Sequence, residues 1–264
     1  MKLSISNIAW NAADDAKIYH LMKNYGFDGL EIAPTRILPE MPYDRLEDIK
    51  KWYEDLWDAY GFHISSMQSI WYGRKENLFG TDKERELLMA YTKKAIKFAR
   101  AVECKNLVFG CPRNRYLPEG EEPEKGVRFF KEIGDYASKN STALAMEANP
   151  SIYNTNYIND TPSALELVKT VCSPGFLLNL DVGTMLYNKE QISLLEGNVK
   201  FINHVHISEP RLNCIQQRNI HRELFSLLKN EHYDGYISIE MEKQDDFAVI
   251  ESTMGYIREL WDDL

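Results

Sequence analysis

Little in this chain could hold it together covalently. Its 264 residues include only four cysteines, Cys104, Cys111, Cys172 and Cys214, and no two of them form a C-x-x-C pair. That excludes a disulfide-stapled secreted module and the common zinc-ribbon spacings. Scattered thiols in a chain this size read as reduced core residues of a cytoplasmic protein. Long apolar runs are missing as well: nothing approaches the roughly 18 apolar residues of a membrane-spanning helix. Residues 1–7, MKLSISN, show no leader-like stretch. Positive charge is also short, with 31 Lys+Arg against 40 Asp+Glu and a net charge of −9. A surface with that balance is poorly suited to displace counterions from phosphate or to sit on an anionic bilayer, so neither nucleic acid nor a membrane is an expected partner.

What is present is a rhythm. Runs with strand character are expected at 3–10, 27–34, 62–71, 106–111, 142–148, 176–182, 201–208 and 235–242. Helices are expected between and after them at 14–25, 45–60, 82–102, 124–139, 162–171, 189–196, 219–230 and 247–261. Gly26 and Gly61 close the first two helices, and Thr161 is the expected N-cap of the fifth. In the third helix Leu88, Tyr91, Ala95, Phe98, Ala99 and Val102 form one apolar stripe. Eight strand–helix units predict an α/β fold, a single closed (β/α)8 barrel. No Gly/Ser-rich linker interrupts them, so residues 1–264 are expected to form one domain.

Barrels of this kind carry their chemistry at the C-terminal ends of the strands. Those positions here hold Glu31, Glu147, Asp181, the pair His204 and His206, and the pair Glu240 and Glu242. Alternation puts His204 and His206 on one face, as it does Glu240 and Glu242, and turns Leu144 and Met146 away from Glu147. Carboxylates gathered there would repel one another, and burying each unpaired is costly. A divalent ion removes that cost. Two Glu, one Asp and one His from four successive strands make an oxygen and nitrogen donor set suited to one Mn²⁺, Mg²⁺, Co²⁺ or Zn²⁺.

The segments MEANP, LDVGT, HVHISEP and ISIEM, in this order on strands five to eight, resemble the xylose isomerase-like TIM-barrel superfamily, as do GLEI and SMQS on strands two and three. The resemblance spans nearly the whole chain. It implies Glu147, Asp181, His206 and Glu240 as metal ligands, with His206 chosen over His204 and Glu240 over Glu242 by position in the motifs. It further implies a metal-dependent isomerase or epimerase of a sugar or sugar derivative. In such a reaction a proton beside a carbonyl is removed and returned by two glutamates, here Glu147 and Glu240, while the metal stabilises the enediolate. Substrate contacts are expected from Asn7, Trp10, Glu31, Gln68, Asn149 and His204, with Glu209 and Arg211 added by the resemblance; Trp71 is a further strand-end candidate.

Two departures stand out. Thr184 occupies the position where the epimerases carry a histidine, and Tyr153 the position of a second glutamate. They leave the ligand set whole and bear on the epimerase-type substrate contacts. The same ligand set is shared by a second enzyme class, and the departures keep a non-catalytic reading open. The former is a lyase dehydrating an inosose or dehydroshikimate-like substrate, and the latter an inert barrel that binds metal or carbohydrate. The multi-zinc cluster of the endonuclease IV-type relatives needs more histidines than the six present. Arg113 and Arg115 read as a solvated loop pair, and His221 as a surface residue opening a helix. A small-molecule sugar partner, cytoplasmic location and a homo-oligomer are compatible with this reading.

Overall fold

Apolar residues at alternate positions of each short run face outward to be covered by helices, and eight such runs pair side by side. The structure is a computed structural model describing residues 1–263. Its strands are β1 (Lys2–Ser6), β2 (Gly29–Ile32), β3 (His63–Met67), β4 (Asn106–Phe109), β5 (Ala143–Glu147), β6 (Phe176–Asp181), β7 (Ile202–Ile207) and β8 (Tyr236–Ile239). All pair in parallel in chain order, and β1 closes on β8 through Leu3↔Ile237 and Ile5↔Ile239. The closed (β/α)8 barrel is therefore as the alternation predicts.

The helices are α1 (Asp15–Asn24), α2 (Pro34–Ile37), α3 (Leu46–Tyr60), α4 (Asp82–Ala101), α5 (Glu124–Lys139), α6 (Thr161–Val171), α7 (Val182–Asn188), α8 (Asn219–Asn230) and α9 (Phe247–Asp262). Leu30, Ile32, Leu144, Met146, Val205 and Ile239 on the strands are fully buried, together with Ile18, Phe98, Phe130, Leu224 and Ile257 of the surrounding helices. That layer is the main apolar core. Inside the barrel the surface is polar: Ser4 meets Ser65 at 2.6 Å, and Asn106 donates to Ser66 at 3.0 Å. Barrel interiors are more often filled by branched aliphatics.

Three local expectations change. β1 ends at Ser6 rather than at residue 10, because Asn7 Oδ1 accepts the Ala33 N–H at 2.9 Å where the ladder would continue. The helix after β6 is not at 189–196. It begins at once, with Asp181 as N-cap accepting the Thr184 N–H at 2.6 Å, and it stops where Lys189 turns to φ +58. Residues Ile192–Leu195 form only a 3-10 turn. The N-cap of α6 is Asp160, which accepts the Ser163 N–H at 2.8 Å, while Thr161 is already helical.

Candidate metal centre at the barrel mouth

Strand ends deliver the ionisable groups. Glu147 is the last residue of β5, Asp181 the last of β6, His206 lies near the end of β7, and Glu240 follows β8. One ligand-type atom from each of the four lies within 4.8 Å of the others. His206 Nδ1 is 3.0 Å from Glu147 Oε1 and 3.1 Å from Glu240 Oε2. The other ring nitrogen, Nε2, is 2.7 Å from Glu31 Oε2. Both ring nitrogens thus face carboxylates, and a cation held at Nδ1 would leave the ring proton on Nε2, beside Glu31.

Neutral groups complete the arrangement. Asn179 Nδ2 donates to Glu147 Oε1 at 2.9 Å, and Asn149 Nδ2 donates to Glu147 Oε2 at 3.0 Å. Ser208 Oγ donates to Asp181 Oδ2, while Thr184 N–H takes Oδ1. Beneath the cluster, Glu31 receives the Gln68 amide at 3.2 Å and lies 3.3 Å from His204 Nε2. A Cβ at position 110 would come within 2.8 Å of Glu147 Oε2, which accounts for Gly110.

Electrostatics shows how crowded the cluster is. Burial pushes Asp181 up to about 6, with the Glu147 charge adding to the effect. Burial pushes Glu240 up to about 7, opposed by His206 and reinforced by Glu147 and Glu31. Against its own burial, His206 is held well above the ordinary histidine value by Glu240 and Glu31. Glu31, against its own burial, is held far below the carboxylate range by His206 and His204. Carboxylates this close resist ionising together, and a divalent cation reverses that preference. Three carboxylates and one imidazole nitrogen, converging and already held by amides and hydroxyls, fit such an ion.

The cluster opens into a cleft of about 220 Å³ lined among others by Gln68, Cys111, Asn149, Tyr153, Glu209 and Leu212. A larger hollow of about 590 Å³ lies between α4 and α5, but its acids and bases face solvent on the helix surface. Of the expected substrate contacts, Gln68, Asn149 and Glu209 reach the cleft, and Glu31 and His204 form the layer under the ligands. Asn7, Trp10 and Arg211 are placed elsewhere. Asn7 Oδ1 is used on Ala33, and the Trp10 indole N–H donates to Asp15 at 2.7 Å. Arg211 contributes its backbone N–H to the Tyr153 hydroxyl at 2.7 Å. Trp71 is buried behind the barrel, donating to Thr92 at 2.8 Å. Glu209 is held by Arg218 at 2.6 and 2.7 Å, which limits its freedom to bind a ligand.

Other readings are corrected. Arg115 is no solvated loop residue but fully buried, and so is His221. Asn179 was missed, although it stands two residues before Asp181 and so on the same strand face. At the two positions where the sequence departs from the epimerases, both hydroxyls are engaged internally: Tyr153 accepts from Arg211, and Thr184 Oγ1 donates to the Ala148 carbonyl at 2.8 Å.

Among curated proteins no sequence matches this chain. Solved structures match its fold. A D-psicose 3-epimerase from Clostridium cellulolyticum H10, crystallised with D-tagatose, is 17% identical with a TM-score of 0.77, covering 99% of this chain and 97% of its own. An IOLI protein with a bound zinc atom is 18% identical with a TM-score of 0.74, covering 100% and 97%. An AP endonuclease, family 2, from Brucella melitensis is 18% identical with a TM-score of 0.72, covering 98% and 99%. At such identities the likeness establishes the fold and leaves the reaction open. The sequence itself settles the kinship: the family model for the xylose isomerase-like TIM barrel matches residues 19–260, and the chain belongs to that family.

Proposed function

We propose that residues 1–264 act as one catalytic unit, a divalent-metal-dependent isomerase or epimerase of a small sugar or sugar derivative. The observation that carries this reading is the convergence of Glu147, Asp181, His206 and Glu240 within 4.8 Å at the mouth of the barrel. These four would hold one Mn²⁺, Mg²⁺, Co²⁺ or Zn²⁺. A bound ion would polarise a substrate carbonyl as a Lewis acid, making the adjacent C–H acidic enough for a carboxylate to remove its proton. Glu147 and Glu240 come from strands three apart around the barrel and reach the cluster from different sides, as two proton-handling groups must. Each acts as base or acid toward one face of the reacting carbon. Gln68 and Asn149 line the cleft, their amide nitrogens bound to Glu31 and Glu147, so that a sugar hydroxyl would meet the Gln68 carbonyl oxygen and the second Asn149 N–H.

A second reading is a lyase that loses water after the same proton removal. Thr184 favours keeping it, because its hydroxyl proton is spent on the Ala148 carbonyl and the position where the epimerases carry a histidine offers a substrate no donor. Tyr153 only accepts from Arg211 and keeps its O–H for a ligand. The test is exchange of substrate C–H for solvent deuterium with Mn²⁺ across aldoses, ketoses and keto-inositols, followed by product mass. Exchange without loss of water supports the isomerase, and loss of one water the lyase. Glu147→Gln and Glu240→Gln should each lower turnover by at least about a thousandfold while far-UV circular dichroism stays unchanged. Turnover surviving in both variants would sink the mechanism.

A further inference from the structure

Arg115 is the one lysine or arginine among the described residues whose side chain is fully buried. Burying a guanidinium without a carboxylate against it is costly, and its hydrogen-bond partners here are all neutral. Nη1 donates to the Glu147 carbonyl at 2.9 Å and approaches Met146 Sδ at 2.9 Å. Nη2 donates to Asn149 Oδ1 at 2.9 Å and to the Ile158 carbonyl at 3.4 Å. With Oδ1 taken, the Asn149 amide has only one useful orientation, and its Nδ2 faces Glu147 Oε2 at 3.0 Å. One fork thus holds the backbone of Glu147 directly and its carboxylate through a single amide. Asn179 Nδ2 donates to the other oxygen, Oε1, which lies beside His206 Nδ1. Charge points the same way. Glu147, Asp181 and Glu240 carry three negative charges when ionised, a divalent ion neutralises two, and Arg115 is a fixed positive charge behind the first of them.

We propose that Arg115 is a positioning residue of the metal centre: its guanidinium fork sets the Asn149 amide and the end of β5 so that Glu147 presents Oε1 to the ion. The assignment rests on the metal-centre reading above and extends it to a residue that touches neither metal nor substrate. A lysine could supply the charge but not two parallel donors in one plane.

The experiment titrates Mn²⁺ alone into the unchanged chain, Arg115→Met, Arg115→Lys, Asn149→Ala and the Arg115→Met/Asn149→Ala double variant, with circular dichroism and a thermal midpoint for each. The unchanged chain should bind one ion. Arg115→Met should bind it about 10- to 100-fold more weakly, as expected when a partner orienting a ligand is lost. Arg115→Lys should be weakened comparably, and the double variant no more than the worse single, because both residues act along one path. A merely structural arginine would lower the midpoint and leave the dissociation constant unchanged. Should Arg115→Met fail to fold, Arg115→Lys and Asn149→Ala decide. Dissociation constants within about twofold across the folded variants, or fully additive losses in the double variant, overturn the assignment. Absence of Mn²⁺ binding by the unchanged chain overturns the metal-centre reading and the assignment with it, a result distinct from equal binding by every variant.

Discussion

His206 is engaged at both ring nitrogens, by Glu147 and Glu240 at Nδ1 and by Glu31 at Nε2. A ligand histidine whose second nitrogen donates to a carboxylate is fixed in tautomer and ring angle and is a stronger donor to metal. In the proposed metal centre Glu31 would then orient a ligand without being one. Glu31→Gln keeps the shape and removes the charge. It should weaken Mn²⁺ binding about 10- to 100-fold by calorimetry, with little change in circular dichroism. Binding as tight as in the unchanged chain would assign Glu31 to packing alone. The sequence places Glu31 at a strand end, yet cannot say what lies opposite. Its partner is 175 residues away, and only closure of the barrel brings the two side chains together. Arg115 was illegible for a related reason. It sits in a polar, proline-containing loop that looks solvated until the loop is seen folded under β5.

At the scale of elements, long helices were legible because several turns repeat one apolar stripe, and α5 and α8 have the expected bounds. The helix after β6 was not. Its seven residues, VGTMLYN, hold less than two turns of pattern and follow the strand with no loop to announce them. Asp181 serves there as both strand end and N-cap, a double use that alternation cannot signal. On α8, His221 packs against α9, with Nδ1 3.0 Å from the Tyr256 hydroxyl and Nε2 without a partner. Burial, aided by Arg218 and opposed by Glu209, lowers its pKa to about 4. The unfolded chain takes up this proton near 6.5, the folded one only near 4, so acid favours unfolding between these values. The contribution is full above pH 6.5 and lost as pH falls toward 4, amounting to about 3 kcal/mol. Urea unfolding of the metal-free protein at a series of pH values, compared with His221→Gln, isolates it. The stability difference between the two should shrink or reverse as pH falls through this window. A difference independent of pH would show that His221 titrates as it does in water.

Across the whole molecule, the four proposed ligands and Glu31 lie on or just after β2, β5, β6, β7 and β8, five of the eight strands. The residue types and strand ends were readable in advance, because a carboxylate or imidazole closing an apolar strand is conspicuous. The cleft wall was legible in part: Gln68, Asn149 and Glu209 stand just past strand ends, whereas Leu212 and Cys111 lie in or beside short 3-10 turns whose path follows from tertiary contacts. The polar barrel interior supplies little apolar burial, so the layer between strands and helices provides most of the cohesion. One ion at the mouth would then tie together strands otherwise held by their ladders and that outer layer. Unfolding scatters its ligands, so the free energy of metal binding becomes free energy of folding. With free Mn²⁺ at about 100 times its dissociation constant, the gain is about 2.7 kcal/mol, and in a chain of this size the thermal midpoint should rise by roughly 5–10 °C. Chelation with EDTA should return the midpoint to its starting value. An Asp181→Asn/Glu240→Gln variant, which keeps side-chain shape and removes two ligand charges, should show little of the rise. An equal rise in that variant would place the stabilising ion somewhere other than the barrel mouth.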